Sequence, residues 1–145
     1  MAENFHSAVT RIARDYGGDA AQIWSGKPPS AEVVYRFLKF DGVGPKIASM
    51  AANILARNFK VQFSDYHSID VSVDVQVRRV LERLCLIDKD EDPTSIIYKV
   101  RALSPDFPGL IDGPAWEIGR YWCRPHRLLC SQCYMADLCP SSRGA

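Results

Sequence analysis

Four of the five cysteines in this 145-residue chain, Cys123, Cys130, Cys133 and Cys139, fall within 17 residues, separated by six, two and five others. Four thiolates held that close together by a helix end and short loops suit a closed four-ligand metal centre. Unrelated buried cysteines at this density are improbable. The spacing fits zinc or an iron–sulfur cluster, although zinc sites more often pair two close-spaced knuckles and only Cys130 and Cys133 form one here. The ligand loop also carries Arg124, His126 and Arg127, with Arg120 just before it. These groups either grip phosphates or offset the negative charge of a thiolate centre.

A second constellation lies between Phe40 and Asp74. It opens with Phe40-Asp41-Gly42-Val43-Gly44-Pro45-Lys46. Gly42 and Gly44 let the backbone turn tightly and approach a partner. Pro45 is pre-set for the first helical position and lacks the N–H that would be orphaned there. The free amides of such a helix start, under a Gly-rich turn, make a seat for a phosphate. Lys46 sits in the first turn, where the helix dipole disfavours an ammonium and so favours a nucleophilic free amine. A plain turn with a solvated lysine is the bland alternative. Asp74 opens the helix that follows. An aspartate there is usually a cap, but the same amides favour a carboxylate able to act on a nearby lysine.

The elements that must position these groups read as helices. Asn4–Tyr16 is amphipathic, with Phe5, Val9, Ile12, Ala13 and Tyr16 on one face and Gly17-Gly18 ending it. Asp19 caps a short helix to Trp24, and Ser30 is the expected N-cap of the next segment, Ala31–Phe40. The periodicity predicts a hairpin with Pro45–Asn58, whose core stripe would be Ile47, Met50, Ala51, Ile54 and Leu55. Phe59–Val73 has no clear period. Asp74–Leu86 is strongly helical, with Cys85 expected as a small core residue. Asp92-Pro93 starts a helix to about Leu103. Ser104–Gly113 reads as a loop and Pro114 as the start of the helix that runs into Cys123.

Formal net charge is +1, so a nucleic-acid partner has to be argued from local patches. No apolar run approaches the ~20 residues of a membrane helix, and the N-terminus lacks a signal-peptide pattern. A cytoplasmic, nucleoid-associated protein with no membrane partner is expected, its cysteines reduced.

Leu38–Ala48 resembles the hairpin of the endonuclease III family of helix-hairpin-helix DNA glycosylases. Val73–Val80 is similar to that family's aspartate segment, and Gly119–Cys123 with the six-two-five spacing is similar to its [4Fe–4S] cluster loop. The matches come in the family's order. The resemblance implies an all-α fold: a partial helical barrel over residues 1–86 with the hairpin at about 31–58, then a lobe over 87–145 ending in the cluster loop at 123–139. It further implies a base-excision glycosylase and AP lyase acting on duplex DNA. Lys46 would attack the anomeric carbon and form a Schiff base, and Asp74 would assist it. Gly42, Val43, Gly44, Lys46, Arg120, Arg124, His126 and Arg127 would contact DNA. Cys123, Cys130, Cys133 and Cys139 would hold [4Fe–4S], with zinc the alternative.

Family enzymes carry further helices before the hairpin. Here one full and one short helix precede Ala31, so the chain is expected to be a truncated product, to be completed by a partner chain over an open face, or to dimerise. A stretch of 27 residues separates Lys46 from Asp74, longer than the usual family connection, and includes the rival carboxylates Asp65 and Asp70. Two other functions compete with the enzyme: a non-catalytic iron–sulfur DNA-binding module without a complete base pocket, and a zinc-ribbon-like interaction protein.

Overall fold

The turn and cap chemistry places the helices. The structure, a computed structural model, describes residues 2–144. Helix α1 spans Ala2–Asp15, α2 Ser30–Leu38, α3 Pro45–Arg57, α4 Val75–Arg83, α5 Pro93–Leu103 and α6 Asp112–Tyr121. Short 3-10 turns lie at Ala20–Ile23, Pro108–Ile111, Cys130–Gln132 and Pro140–Gly144. Among the described residues there is no strand, only an isolated bridge between Cys123 and Leu128. The chain is all-α. None of the described helices is long and apolar enough to cross a membrane.

The caps act as the sequence implies. Asp19 accepts from the amide of Ala21, Asp74 from those of Gln76 and Val77, and Asp92 from those of Thr94 and Ser95. Such caps each stabilise a helix by about 1 kcal/mol. Pro45 and Pro93 occupy the first turns of their helices.

Two apolar clusters form. The larger gathers Val71, Val77, Val80, Leu81, Ile87, Ile96, Val100, Ala115 and Ile118, with Trp122, Cys123, Cys133 and Met135 packed against it. The smaller gathers Val33, Ala52, Leu55, Phe63 and Ile69, flanked by Trp24, Phe37, Tyr66 and Phe107. Burying each large side chain stabilises the fold by roughly 1.5–3 kcal/mol. Helix α4 lies directly on α6, and α2 on α3. Close approach of the first pair depends on Gly119, where a Cβ would come within 2.9 Å of the Gln76 side chain.

Several local expectations are corrected. Ser30 is the first helical residue and Pro29 the cap. The Ser30 hydroxyl instead donates to Asp65 and accepts from the amide of Ser68, tying α2 to the segment before α4. That hydrogen bond holds the Asp65 carboxyl below the usual carboxylate range. On α3 the buried residues are Ala48, Ser49, Ala52, Asn53 and Leu55, while Ile47, Met50 and Ile54 face outward. Small and hydrogen-bonding residues let α3 sit close to its neighbours: Ser49 accepts from the amide of Asp70 and donates to its carbonyl. The amphipathic face of α1 exists but is not covered, with Phe5 73% and Val9 51% exposed. Cys85 is exposed, in a left-handed turn with φ +57° just after α4. Residues 59–73 are coil, and α6 begins two residues before Pro114, at Asp112.

Candidate active site and candidate metal centre

The turn that delivers Lys46 is built on Gly42. Its φ of +78° lies in the left-handed region, and a Cβ there would meet the Asn4 side chain at 2.3 Å. The Val43 amide closes the turn onto the Phe40 carbonyl at 3.1 Å. Gly44 caps α3 with no side-chain hydrogen bond, so the first amides of α3 have no side-chain acceptor. Lys46 is exposed in the first turn, and no ion pair of it is found among the described residues.

Lys46 and Asp74 line one cleft of about 320 Å³. They are 28 positions apart in the chain and are brought together because α3 ends at Arg57 and the coil returns Asp74 to the mouth of α4. The rival carboxylates are engaged elsewhere. Asp70 takes Arg101 in a bidentate pair at 2.7 and 2.9 Å, and Asp65 takes Ser30.

The floor of the cleft holds residues that periodicity and motif alone did not single out: Asn53, Ser72 and Asp112, with Arg57 and Trp116 on the walls. Asn53 lies seven residues after Lys46, hence on the same helix face, which is the sequence signal that was available. Asp112 read as a loop residue and gave none. The Asn53 amide donates to the Gly109 carbonyl at 2.8 Å and lies a marginal 3.5 Å from Asp112. The Ser72 amide donates to Asp112 at 3.1 Å. Burial, reinforced by the nearby Asp74 charge, pushes the Asp112 carboxyl above the ordinary aspartate range. Asn53 Oδ1 is buried without a hydrogen-bond partner among the described residues, and hydrogen bonds from Ser72 and Asn53 partly offset the rise at Asp112.

The four cysteines Cys123, Cys130, Cys133 and Cys139 line one cavity with Val80, Leu84, Ile118, Trp122 and Met135. All are free thiols. Among the described residues, no three His, Cys, Asp or Glu side chains converge tightly enough to hold a single ion. Arg83 donates to Cys123 Sγ at 3.1 Å, and its own carbonyl accepts from Cys139 Sγ and the Ser141 hydroxyl. Arg79 donates to the carbonyls of Cys123 and Gly119 at 2.7 and 2.9 Å and also bonds the Gln76 side chain. One helix therefore carries the Asp74 cap at its start and the thiol loop along its flank.

The basic loop residues are exposed. Arg120 lies over the Trp116 ring at 4.9 Å and the Tyr121 ring at 5.9 Å. Arg124 donates to the Arg120 carbonyl at 3.1 Å. Because Trp116 also walls the cleft, this places Arg120 beside it; His126 and Arg127 sit farther along the loop.

Comparison with known proteins follows the same outline. No family model matches the chain. It is 28% identical to an endonuclease III of Synechocystis sp. over 99% of this chain and 57% of that protein. It is likewise 28% identical to an endonuclease III of Thermotoga maritima, over 80% of this chain and 49% of that one. A chain from a solved non-covalent endonuclease III–DNA complex superposes with a TM-score of 0.63 at 21% identity, over 99% of this chain and 58% of that one. The chain thus spans about half the length of the relatives it matches. In sequence the chain is similar to these endonuclease III proteins, and in helical fold to the endonuclease III of that complex.

Proposed function

We propose that the chain binds duplex DNA and acts on it as a base-excision glycosylase and AP lyase through Lys46. The observation that carries this reading is the shared cleft, in which an unpaired amine and a helix-capping carboxylate sit above a polar floor. The Lys46 amine forms a bond to the anomeric carbon of a nucleotide as the glycosidic bond breaks and the base departs. Asp74 accepts a proton from the attacking amine and steadies the positive charge that develops on the sugar. The resulting Schiff base allows loss of the 3′ phosphate by β-elimination. The side-chain-free start of α3 at Gly42, Val43 and Gly44 seats one phosphate. Arg120, Arg124, His126 and Arg127 supply positive charge along the adjoining strand.

Cys123, Cys130, Cys133 and Cys139 would hold a [4Fe–4S] cluster. A thiolate-only donor set around one largely apolar cavity suits that group. A single zinc ion instead draws its thiolates to about 2.3 Å around one point. The cluster would fix the loop that carries Arg124, His126 and Arg127. Iron and sulfide in about equal amounts in the purified protein would support it, and zinc alone would overturn it.

Borohydride trapping on a duplex with one abasic site tests the enzymatic reading. A covalent adduct is expected, absent in Lys46→Ala and formed about 10²–10⁴-fold more slowly in Asp74→Asn. An adduct that persists in Lys46→Ala would remove the lysine from its role. The second reading, a non-catalytic DNA-binding module, is favoured by the open apolar faces of α1 and α3. Salt-sensitive duplex binding without any adduct would establish it.

A further inference from the structure

Half-buried arginines in this fold are used to tie it together. Arg11 pairs with Asp15, Arg36 with Glu32 and Arg101 with Asp70. Arg78 donates to the Glu91 carbonyl, Arg79 to the Cys123 carbonyl and Arg83 to Cys123 Sγ. Arg57 is also half-buried, yet its side chain has no hydrogen bond, ion pair or ring contact among the described residues. It lines the cleft that contains Lys46 and Asp74.

Its placement is not that of an ordinary helix-end charge. Arg57 is in the last turn of α3, where a cation normally serves the final carbonyls of its own helix. The guanidinium instead lies against Gly113, in the first turn of α6, where a Cβ would come within 1.9 Å of Nη1. That end of α6 is the positive pole of its dipole and has no side-chain cap, so the helix does not attract the group. Two carboxylates line the same cleft and neither takes it. Asp74 accepts from the amides of Gln76 and Val77, and Asp112 from that of Ser72. The N–H donors of Arg57 are left for something outside the chain.

Lys46 and Arg57 are eleven residues apart on α3. Eleven residues make about three turns, so both stand on one face, about 16 Å apart along the axis. A guanidinium offers paired N–H donors in a fixed fork that matches two phosphate oxygens. We infer that Arg57 grips a DNA phosphodiester flanking the nucleotide whose sugar faces Lys46, across the cleft from the phosphate seated at the hairpin turn. This deepens the glycosylase reading and rests on it. The strand is then held at both ends of α3, and the bare Cα of Gly113 keeps the space in which the guanidinium sits.

Binding to a duplex with one tetrahydrofuran abasic analogue, measured across a salt series, tests this. Arg57→Gln should bind about tenfold more weakly than the wild type, and its slope of log affinity against log salt should be shallower by about one. Gly113→Ala keeps every charge but fills the space of the guanidinium. It should weaken binding severalfold while its melting temperature equals or exceeds that of the wild type, since alanine is the better helix former. Two further duplexes carry a neutral methylphosphonate in place of the phosphate on the 5′ or the 3′ side of the analogue. One of the two should cost the wild type about as much as Arg57→Gln does, and cost that variant nothing more; which one it is names the phosphate. Unchanged affinity and slope in Arg57→Gln would overturn the inference and leave DNA binding intact. So would a Gly113→Ala variant that binds like the wild type, or methylphosphonate losses that simply add to that of Arg57→Gln on both sides. Failure of the wild type to bind the duplex at all would overturn the DNA reading itself, and this inference with it.

Discussion

The region around α4 and α6 and the region around the α2–α3 hairpin solve the burial problem differently. The first packs nine buried residues into one cluster and adds the thiol loop as a cover. The second buries five and leaves Ile47, Met50 and Ile54 of α3 outward, with the apolar side of α1 also exposed. Polar contacts do part of the hairpin region's work: Ser30, Ser49 and Asn53 are all buried there. A tightly closed core suits a region that holds a loop in one shape. An open face and hydrogen-bonded helix seats suit a region that presents a turn and a cleft to something else.

Matched core truncations give the largest test of that contrast. Leu81, fully buried in the larger cluster, and Leu55, 8% exposed in the smaller one, should both lose stability on change to alanine, within the roughly 2–5 kcal/mol range for buried leucine. Leu81→Ala should fall near the top and Leu55→Ala near the bottom, read as urea midpoints. Equal losses would mean that the hairpin region is as tightly packed as the other.

A pH comparison sharpens the picture at the cleft. The Asp112 carboxyl is raised by burial, so its folded form holds a proton that the unfolded chain releases. Its contribution to stability is therefore highest below the ordinary aspartate value of 3.8 and is lost as pH rises through the raised folded value. Asp65 is lowered by Ser30; its contribution is present above that ordinary value and disappears as pH falls through the folded one. The melting temperature of Asp112→Asn relative to wild type should climb as pH increases from acid to neutral. That of Asp65→Asn should move the opposite way. Parallel trends would show that the cleft floor is not desolvated.

The smallest effect should come from Arg101→Gln. Its pair with Asp70 joins α5 to the coil before Asp74, but the Arg101 side chain is 39% exposed. Partly solvated pairs contribute about 0–1 kcal/mol, so denaturant midpoints should barely shift. A loss well above 1 kcal/mol would make this pair a strut for Asp74 rather than a surface contact.

The helices were legible because their signals are local. Asp19, Asp74 and Asp92 cap where they stand, Pro45 and Pro93 open helices, and the cysteine spacing points to one site whose four members do line one cavity. Faces were harder to read. On α3 the apolar stripe was assigned inward; Leu55 does face in, but together with Ala48, Ser49, Ala52 and Asn53, while Ile47, Met50 and Ile54 are exposed. Cys85 was expected in the core and is exposed, because α4 has already ended in a left-handed turn there.

By itself, the sequence determined where helices begin, which residues can ligate a metal, and that Lys46 and Asp74 each occupy a helix start, since each depends on neighbours within a few residues. Only the tertiary structure decided that those two side chains share a cleft, that Asp112 joins them with its carboxyl raised, and that Asn53 and Ser72 lie buried beside it. Those facts depend on α3, the coil and α6 converging, on contacts such as the 56-residue span from Asn53 to Gly109. Burial and desolvation are properties of that convergence, and no local pattern encodes them.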